Sequence, residues 1–358
     1  MSISLIRRHI PGYNFVGDTA TGLTFRWGSG PAEDPAMAPW PELADISISN
    51  YCTGGCTYCY RDSRPDGGCM CPEEYALLLR QLRHPEHGSV FQVALGGGEP
   101  LLHPDFVRIL ETTREQGVIP NYTTSGRYFT PDIIQATAAH CGAVAISHDP
   151  SRLDPTPRQL RRLGEELAAA GIKANIHYVL SRWSLPRAME LLEGRHDELY
   201  EPFNAIVFLT YKPAGRASRD GVLRPGPQLE HFLKLLAAPQ RLTALRLGVD
   251  ACLSPLLLRE GTLDATFFDS CEAGFFSVYI DEGLNVAPCS FCNDPAHAYS
   301  LREHSLEEIW TEKFGPYRAR AAGNCDEQRG CAAVCRGTCP FYPELFLCGC
   351  FAGPKNIL

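Results

Sequence analysis

The chain has 358 residues, 44% of them hydrophobic and 21% charged, which is enough for one large α/β domain or two to three smaller ones. Lys plus Arg total 33 against 41 Asp plus Glu, a net charge of -8, and this argues against nucleic-acid or anionic-membrane partners, which need clustered positive charge. No run of 18 apolar residues exists to span a membrane, and Arg7 and Arg8 lead into HIPGYNF rather than an apolar signal core, so the expected location is cytoplasmic.

The first 43 residues, with GYNF and GLTFRWG, read as a short β-hairpin extension. Apolar or β-branched runs then occur at 44–50, 90–96, 118–124, 143–148, 173–180 and 205–212. Segments with helical spacing separate them. In EEYALLLRQLR, Tyr75, Leu78, Leu79 and Leu82 share a face, and in PDFVRILETTREQG, Phe106, Ile109 and Leu110 do. Asp105 suits the start of that second helix and Gly117 its end. Strands alternating with helices predict a parallel sheet with right-handed crossovers. Six units are too few to close an eight-stranded barrel, so the expected fold is α/β, a partial (β/α)6 TIM-like barrel over 44–240. PAGRASRDGVLRPGP reads as a connection and GPQLEHFLKLLAA as a sixth helix. From 241 to 358 short strands, turns and cysteines predict a small metal-held domain.

The 16 cysteines carry most of the information. Without a secretory signal they read as metal or iron–sulfur ligands rather than disulfides. NYCTGGCTYCY follows the first strand and places Cys52, Cys56 and Cys59 on one loop with gaps of three and two residues. Three thiolates so spaced can hold three irons of a four-iron cluster and leave the fourth open to a non-protein ligand. Zinc is the alternative, with Cys69 or Cys71 as a fourth ligand. GGGEP (Gly96 to Pro100) ends the second strand; as punctuation alone it would be a turn.

The cysteine loop followed by GGGEP one strand later resembles the radical S-adenosylmethionine superfamily from about residue 44 to the end of the chain. The resemblance implies a four-iron cluster on Cys52, Cys56 and Cys59 that binds S-adenosylmethionine and generates a 5′-deoxyadenosyl radical, with the protein orienting the cofactor. It implies a methionine-binding turn at Gly97 and Gly98, with Glu99 receiving the cofactor ammonium and Tyr58 near the adenine. It also implies ribose contacts from Ser125 in TTSG and from Ser147, and a further polar contact from Asn175. For these last three the alternative is a strand-end side chain serving local backbone.

Ten cysteines lie between Cys252 and Cys350. The run Cys271, Gly283, Cys289, then Cys325, Cys331, Cys335, Cys339 and Cys348 resembles the SPASM extension, which binds two auxiliary four-iron clusters. The gaps in the close block are five, three and three, where the family pattern has two, five and three. The resemblance implies one cluster on Cys325, Cys331, Cys335 and Cys348 or Cys350. The other would use Cys271, Cys289, Cys339 and either Cys252 or Cys292.

Cys141 reads as a small core residue and His148 and His177 as satisfied core histidines. Cys69 and Cys71 read as surface or site-facing thiols, and YKPAGR as a helix-approach loop or a substrate contact, with Arg216 a candidate carboxylate clamp. Ser290 follows Cys289 where some relatives have an Asp base. The expected activity is abstraction of a substrate hydrogen in maturation of a ribosomally made peptide, with flavodoxin or ferredoxin as reductant. The short N-terminal extension leaves leader-peptide recognition to a separate protein. The alternatives are a radical dehydrogenase acting on a small metabolite and a non-catalytic electron-transfer partner.

Overall fold

GYNF and GLTFRWG supply two strands, and LIRRHI ahead of them adds a third to the expected hairpin. In the computed structural model β1 (Leu5–Ile10), β2 (Tyr13–Asp18) and β3 (Thr24–Trp27) form an antiparallel sheet in that order. β1 escaped the reading because LIRRHI has no clear alternation and its residues are only half-covered or exposed. The structure describes residues 5–31, 33–148, 155–238, 243–259, 269, 271–322, 339–342 and 345.

The strand–helix repeat follows. Its elements are β4 (Leu43–Ser49), α1 (Pro72–Gln81), a small pair β5 (Arg83–His84) and β6 (Gly88–Ser89), β7 (Gln92–Gly97), α2 (Phe106–Glu115) and β8 (Ile119–Thr124). Next come α3 (Pro131–His140), β9 (Val144–His148), α4 (Pro157–Ala169), β10 (Ala174–Leu180), α5 (Leu185–Leu192), α6 (Asp197–Tyr200), β11 (Ala205–Thr210) and α7 (Pro227–Ala237). Proline at the first turn marks the starts of α1, α3, α4, α5 and α7, where a missing N–H costs nothing. Thr156 accepts from Gln159 N while Gln159 Oε1 accepts from Thr156 N at 2.9 Å, a reciprocal cap. Asp105 precedes α2 without a side-chain cap bond, and Gly117 follows it in the left-handed region.

Beyond residue 240 the sheet continues. β12 (Leu247–Val249) pairs parallel with β11, and after α8 (Ser254–Arg259) β13 (Ser277–Ile280) pairs parallel with β4. β14 (Asn285–Ala287) and β15 (Tyr299–Ser300) extend that edge antiparallel. The ten-stranded order is β12-β11-β10-β9-β8-β7-β4-β13-β14-β15. The six expected parallel strands thus gain one at each edge of the barrel.

Alternation sets the two faces. Ala174, Ile176, Tyr178 and Leu180 of β10 are buried, while Asn175, His177 and Val179 point to the half-covered inner hollow. On the outer side Tyr178, Phe208 and Phe232 stack edge to face at 5.4 Å, tying β10, β11 and α7. Phe106 does the same against Tyr122, at 5.0 Å.

Candidate functional site

The cysteine loop leaves β4 at the carboxyl end of the sheet, where ligands of parallel sheets bind. Its backbone is pinned by Cys52 N to Arg64 O at 3.0 Å and Cys59 N to Cys56 O at 3.3 Å. Gly54 N donates to Cys52 Sγ at 3.3 Å and Ser63 N to Cys59 Sγ at 3.4 Å. All three thiols are half-buried and free of disulfides. Burial, with Cys56, Glu99 and Cys59 nearby, pushes the Cys52 thiol up despite the Gly54 N–H. A cation at the loop would reverse that preference.

The GGGEP turn lies directly on this loop. Gly98 N donates to Ser49 O at 2.6 Å and Glu99 N to Tyr51 O at 3.0 Å. A Cβ on Gly98 would sit 2.1 Å from Tyr51 O, and one on Gly97, whose φ is +114°, would sit 2.0 Å from Ser49 O. Close backbone approach therefore requires both glycines. Glu99 is 2% exposed. Its carboxylate accepts from Thr124 Oγ1, from Leu101 N at 3.3 Å and from Ser125 N at 2.9 Å. The structure thus brings Glu99 and Ser125 together.

Tyr58 sits on the same loop, packed at the edge of the core. Ser147 lies near the carboxyl end of β9, level with His177 of β10, Val207 of β11 and Gly248 of β12. Asn175 is one inward position further toward the amino ends, and its Oδ1 accepts from Asn204 Nδ2 at 2.8 Å. Burial lowers the His177 pKa to about 4, opposed by Asp250, so the ring is neutral at pH 7. Cys141 caps α3, and burial pushes its thiol up to about 12, which fits an inert core residue. Cys69 and Cys71 are exposed, with Cys69 Sγ 3.1 Å from Ser49 Oγ and Cys71 capping α1.

Arg216 is a correction. It is not a carboxylate clamp open to substrate: its guanidinium donates to Cys56 O at 2.9 Å, Ser63 O at 2.8 Å and Asp62 Oδ1 at 2.9 Å. Gly215 makes this docking possible, since a Cβ there would lie 2.4 Å from Cys59 O.

Two residues outside the sequence reading belong to the site. A Cβ placed on Gly54 would lie 2.8 Å from Arg127 Nη2, 3.3 Å from Cys52 Sγ and 3.7 Å from Cys56 Sγ. The Arg127 guanidinium therefore stands beside two of the three thiols, and its position right after TTSG was the available signal. Asp45 points inward from β4, hydrogen-bonded to Ser290, and burial raises its pKa to about 6, opposed by that bond and by Arg61.

Cys252, Cys271, Cys289 and Cys339 line one cavity of about 840 Å³, together with Lys212, Asp250 and Phe291. Burial pushes the Cys252 and Cys289 thiols well up. With Cys271 and Cys339 they make a four-thiol donor set that a bound metal would hold as thiolates. Among the described residues no three Cys, His, Asp or Glu side chains converge on a single-ion site. Cys292 is half-buried and is not among the residues lining this cavity; its Sγ is 3.5 Å from Asp294 O. Cys325, Cys331, Cys335, Cys348 and Cys350 lie outside the described residues.

Residues 46–165 match the Radical SAM superfamily. The chain carries a radical SAM domain. It is 27% identical over 312 residues to mycofactocin maturase MftC of Mycobacterium ulcerans, covering 79% of this chain and 80% of that one. It is also 29% identical over 177 residues to GTP 3′,8-cyclase of Aeromonas hydrophila, a match spanning 47% of this chain and half of that enzyme. Among solved structures, Streptococcus suis SuiB bound to its precursor peptide SuiA superposes with a TM-score of 0.71 at 16% identity, over 94% of this chain and 95% of that one. The anSMEcpe structure with bound AdoMet gives 0.58 at 15% identity, over 86% and 91%. The radical SAM fold here is therefore the partial barrel expected, and the family works with a four-iron cluster and S-adenosylmethionine. No helix among the described residues is long and apolar enough to cross a membrane.

Proposed function

We propose that this radical SAM enzyme abstracts a hydrogen from a peptide and so matures a ribosomally made precursor. The observation that carries this reading is the pairing of two cysteine sites across one contact. Tyr60, next to Cys59, stacks on Phe291 at 4.5 Å, and Phe291 lines the cavity of Cys252, Cys271, Cys289 and Cys339. A radical site coupled to a second cluster site suits an enzyme that must also remove an electron from its substrate. Similarity to MftC over most of the chain supports a peptide substrate.

In this reading Cys52, Cys56 and Cys59 would hold the catalytic cluster, and Arg127 beside them would offer a cation to the carboxylate of the cofactor. Glu99, with Gly97 and Gly98, shapes the turn that would receive its ammonium, and Tyr58, Ser125 and Ser147 would contact its nucleoside. When bound, cluster and cofactor supply the 5′-deoxyadenosyl radical. Asp45, on the inner face with Ser290, is the group able to take a proton from the substrate. Cys252 rather than Cys292 completes the ligand set with Cys271, Cys289 and Cys339.

Anaerobic reconstitution followed by mass spectrometry tests the reading. The reduced enzyme with S-adenosylmethionine should release 5′-deoxyadenosine, and Cys56→Ala should abolish it. A co-expressed precursor peptide should change mass only with the intact enzyme. Release that persists in Cys56→Ala would sink the radical mechanism. Turnover of a small metabolite with no peptide change would instead favour the dehydrogenase.

A further inference from the structure

Lys212 follows β11 and its side chain is 7% exposed. It lies in the wall of the cavity ringed by Cys252, Cys271, Cys289 and Cys339. An ammonium so enclosed must be balanced by charge or hydrogen bonds. Its Nζ stands 3.5 Å from Asp250 Oδ2, donates to Thr210 O at 3.4 Å and lies 4.3 Å from the centre of the Phe291 ring. Both hydrogen-bond distances are long, so neither partner holds the ammonium tightly.

Asp250 is already committed elsewhere. Its carboxylate accepts from Thr210 N at 2.9 Å, Thr210 Oγ1 at 2.8 Å and Leu253 N at 3.0 Å. Among the described residues lining the cavity, Lys212 is the one cation, against Asp250, Asp269 and Glu272. Asp250, at 3.5 Å, supplies the balancing negative charge. The ammonium thus shares one enclosed cavity wall with the four thiols.

We propose that Lys212 raises the reduction potential of the cluster held by these four cysteines. A four-iron cluster on four thiolates is anionic, and adding one electron makes it one unit more negative. A fixed ammonium in a low-dielectric wall favours that reduced form, while Asp250 opposes it. Lys212 is thus a positioning charge that makes this cluster an electron acceptor.

The proposal rests on the auxiliary-cluster reading, and one experiment separates the two. The full chain, reconstituted anaerobically with iron and sulfide, is titrated electrochemically and followed by electron paramagnetic resonance, without substrate. Lys212→Gln should shift one midpoint down by 59 mV or more, a tenfold change in the oxidised-to-reduced ratio of a one-electron couple. Lys212→Arg should leave that midpoint near its original value. Asp250→Asn should move it up. The signal of the cluster on Cys52, Cys56 and Cys59 should not move. If Lys212→Gln itself loses iron, the Asp250→Asn titration decides, with no upward shift overturning the proposal. Full iron content with unchanged midpoints in Lys212→Gln also overturns it and leaves the cluster intact. A wild-type chain holding only about four irons removes the auxiliary cluster, and the proposal with it.

Discussion

The Arg216 guanidinium donates to the carbonyl oxygen of Cys56 at 2.9 Å, joining the segment after β11 to the loop after β4. Its other bonds to Asp62 and Ser63 O close the same bracket. The carbonyls of a tight cysteine loop are thereby satisfied by one rigid, permanently charged fork. Arg216→Met should loosen the loop by about 2 kcal/mol. Reconstituted protein should then lose iron from the Cys52, Cys56 and Cys59 cluster faster on exposure to a chelator. Arg216→Lys should rescue only part of the retention, because lysine cannot present the fork. Equal iron retention in all three proteins would remove the bracket role.

Gly98→Ala should destabilise the fold by more than about 2 kcal/mol, since its Cβ would overlap Tyr51 O at 2.1 Å. Gly68→Ala, with nothing within 4 Å of its Cβ, is the matched control and should change stability by under about 1 kcal/mol. Urea midpoints of the two variants check this.

Asp45 introduces a pH dependence of known sign. Its pKa is raised from 3.8 to about 6 in the folded chain, chiefly by burial. The folded state therefore holds a proton that the unfolded state has released. The associated stability is fully present below pH 3.8 and is lost as pH rises through about 6. Asp45→Asn should lack this loss and gain up to about 3 kcal/mol over wild type at pH 8. The two should converge near pH 4, and parallel stability curves would contradict the assignment.

Cys252→Ser should lower the iron content of the reconstituted protein by roughly four atoms per chain. Cys292→Ser and Cys141→Ser should not. Colorimetric iron and sulfide assays on the three variants discriminate directly. A loss with Cys292→Ser instead would exchange the ligand assignments.

Local pattern made much of this legible. Each of the six parallel strands β4, β7, β8, β9, β10 and β11 lies within two residues of its sequence run, because alternating burial and Pro–Gly punctuation act over a few residues. GGGEP and the cysteine loop were legible for the same reason. β12 was not, because three residues carry no measurable period. Arg127 was passed over because a single arginine after a turn looks like any surface cation.

What the amino-acid order determined by itself is the repeat, the radical cluster loop and the presence of a second cysteine group. Tertiary structure decided the partners. β13 pairs with β4 across more than 200 residues of chain, and only that pairing places Ser290 against Asp45. The same closure gathers Cys252, Cys271, Cys289 and Cys339 around Lys212. Periodicity acts between neighbours in the chain, whereas hydrogen bonds and buried charges act between neighbours in space, and packing sets those.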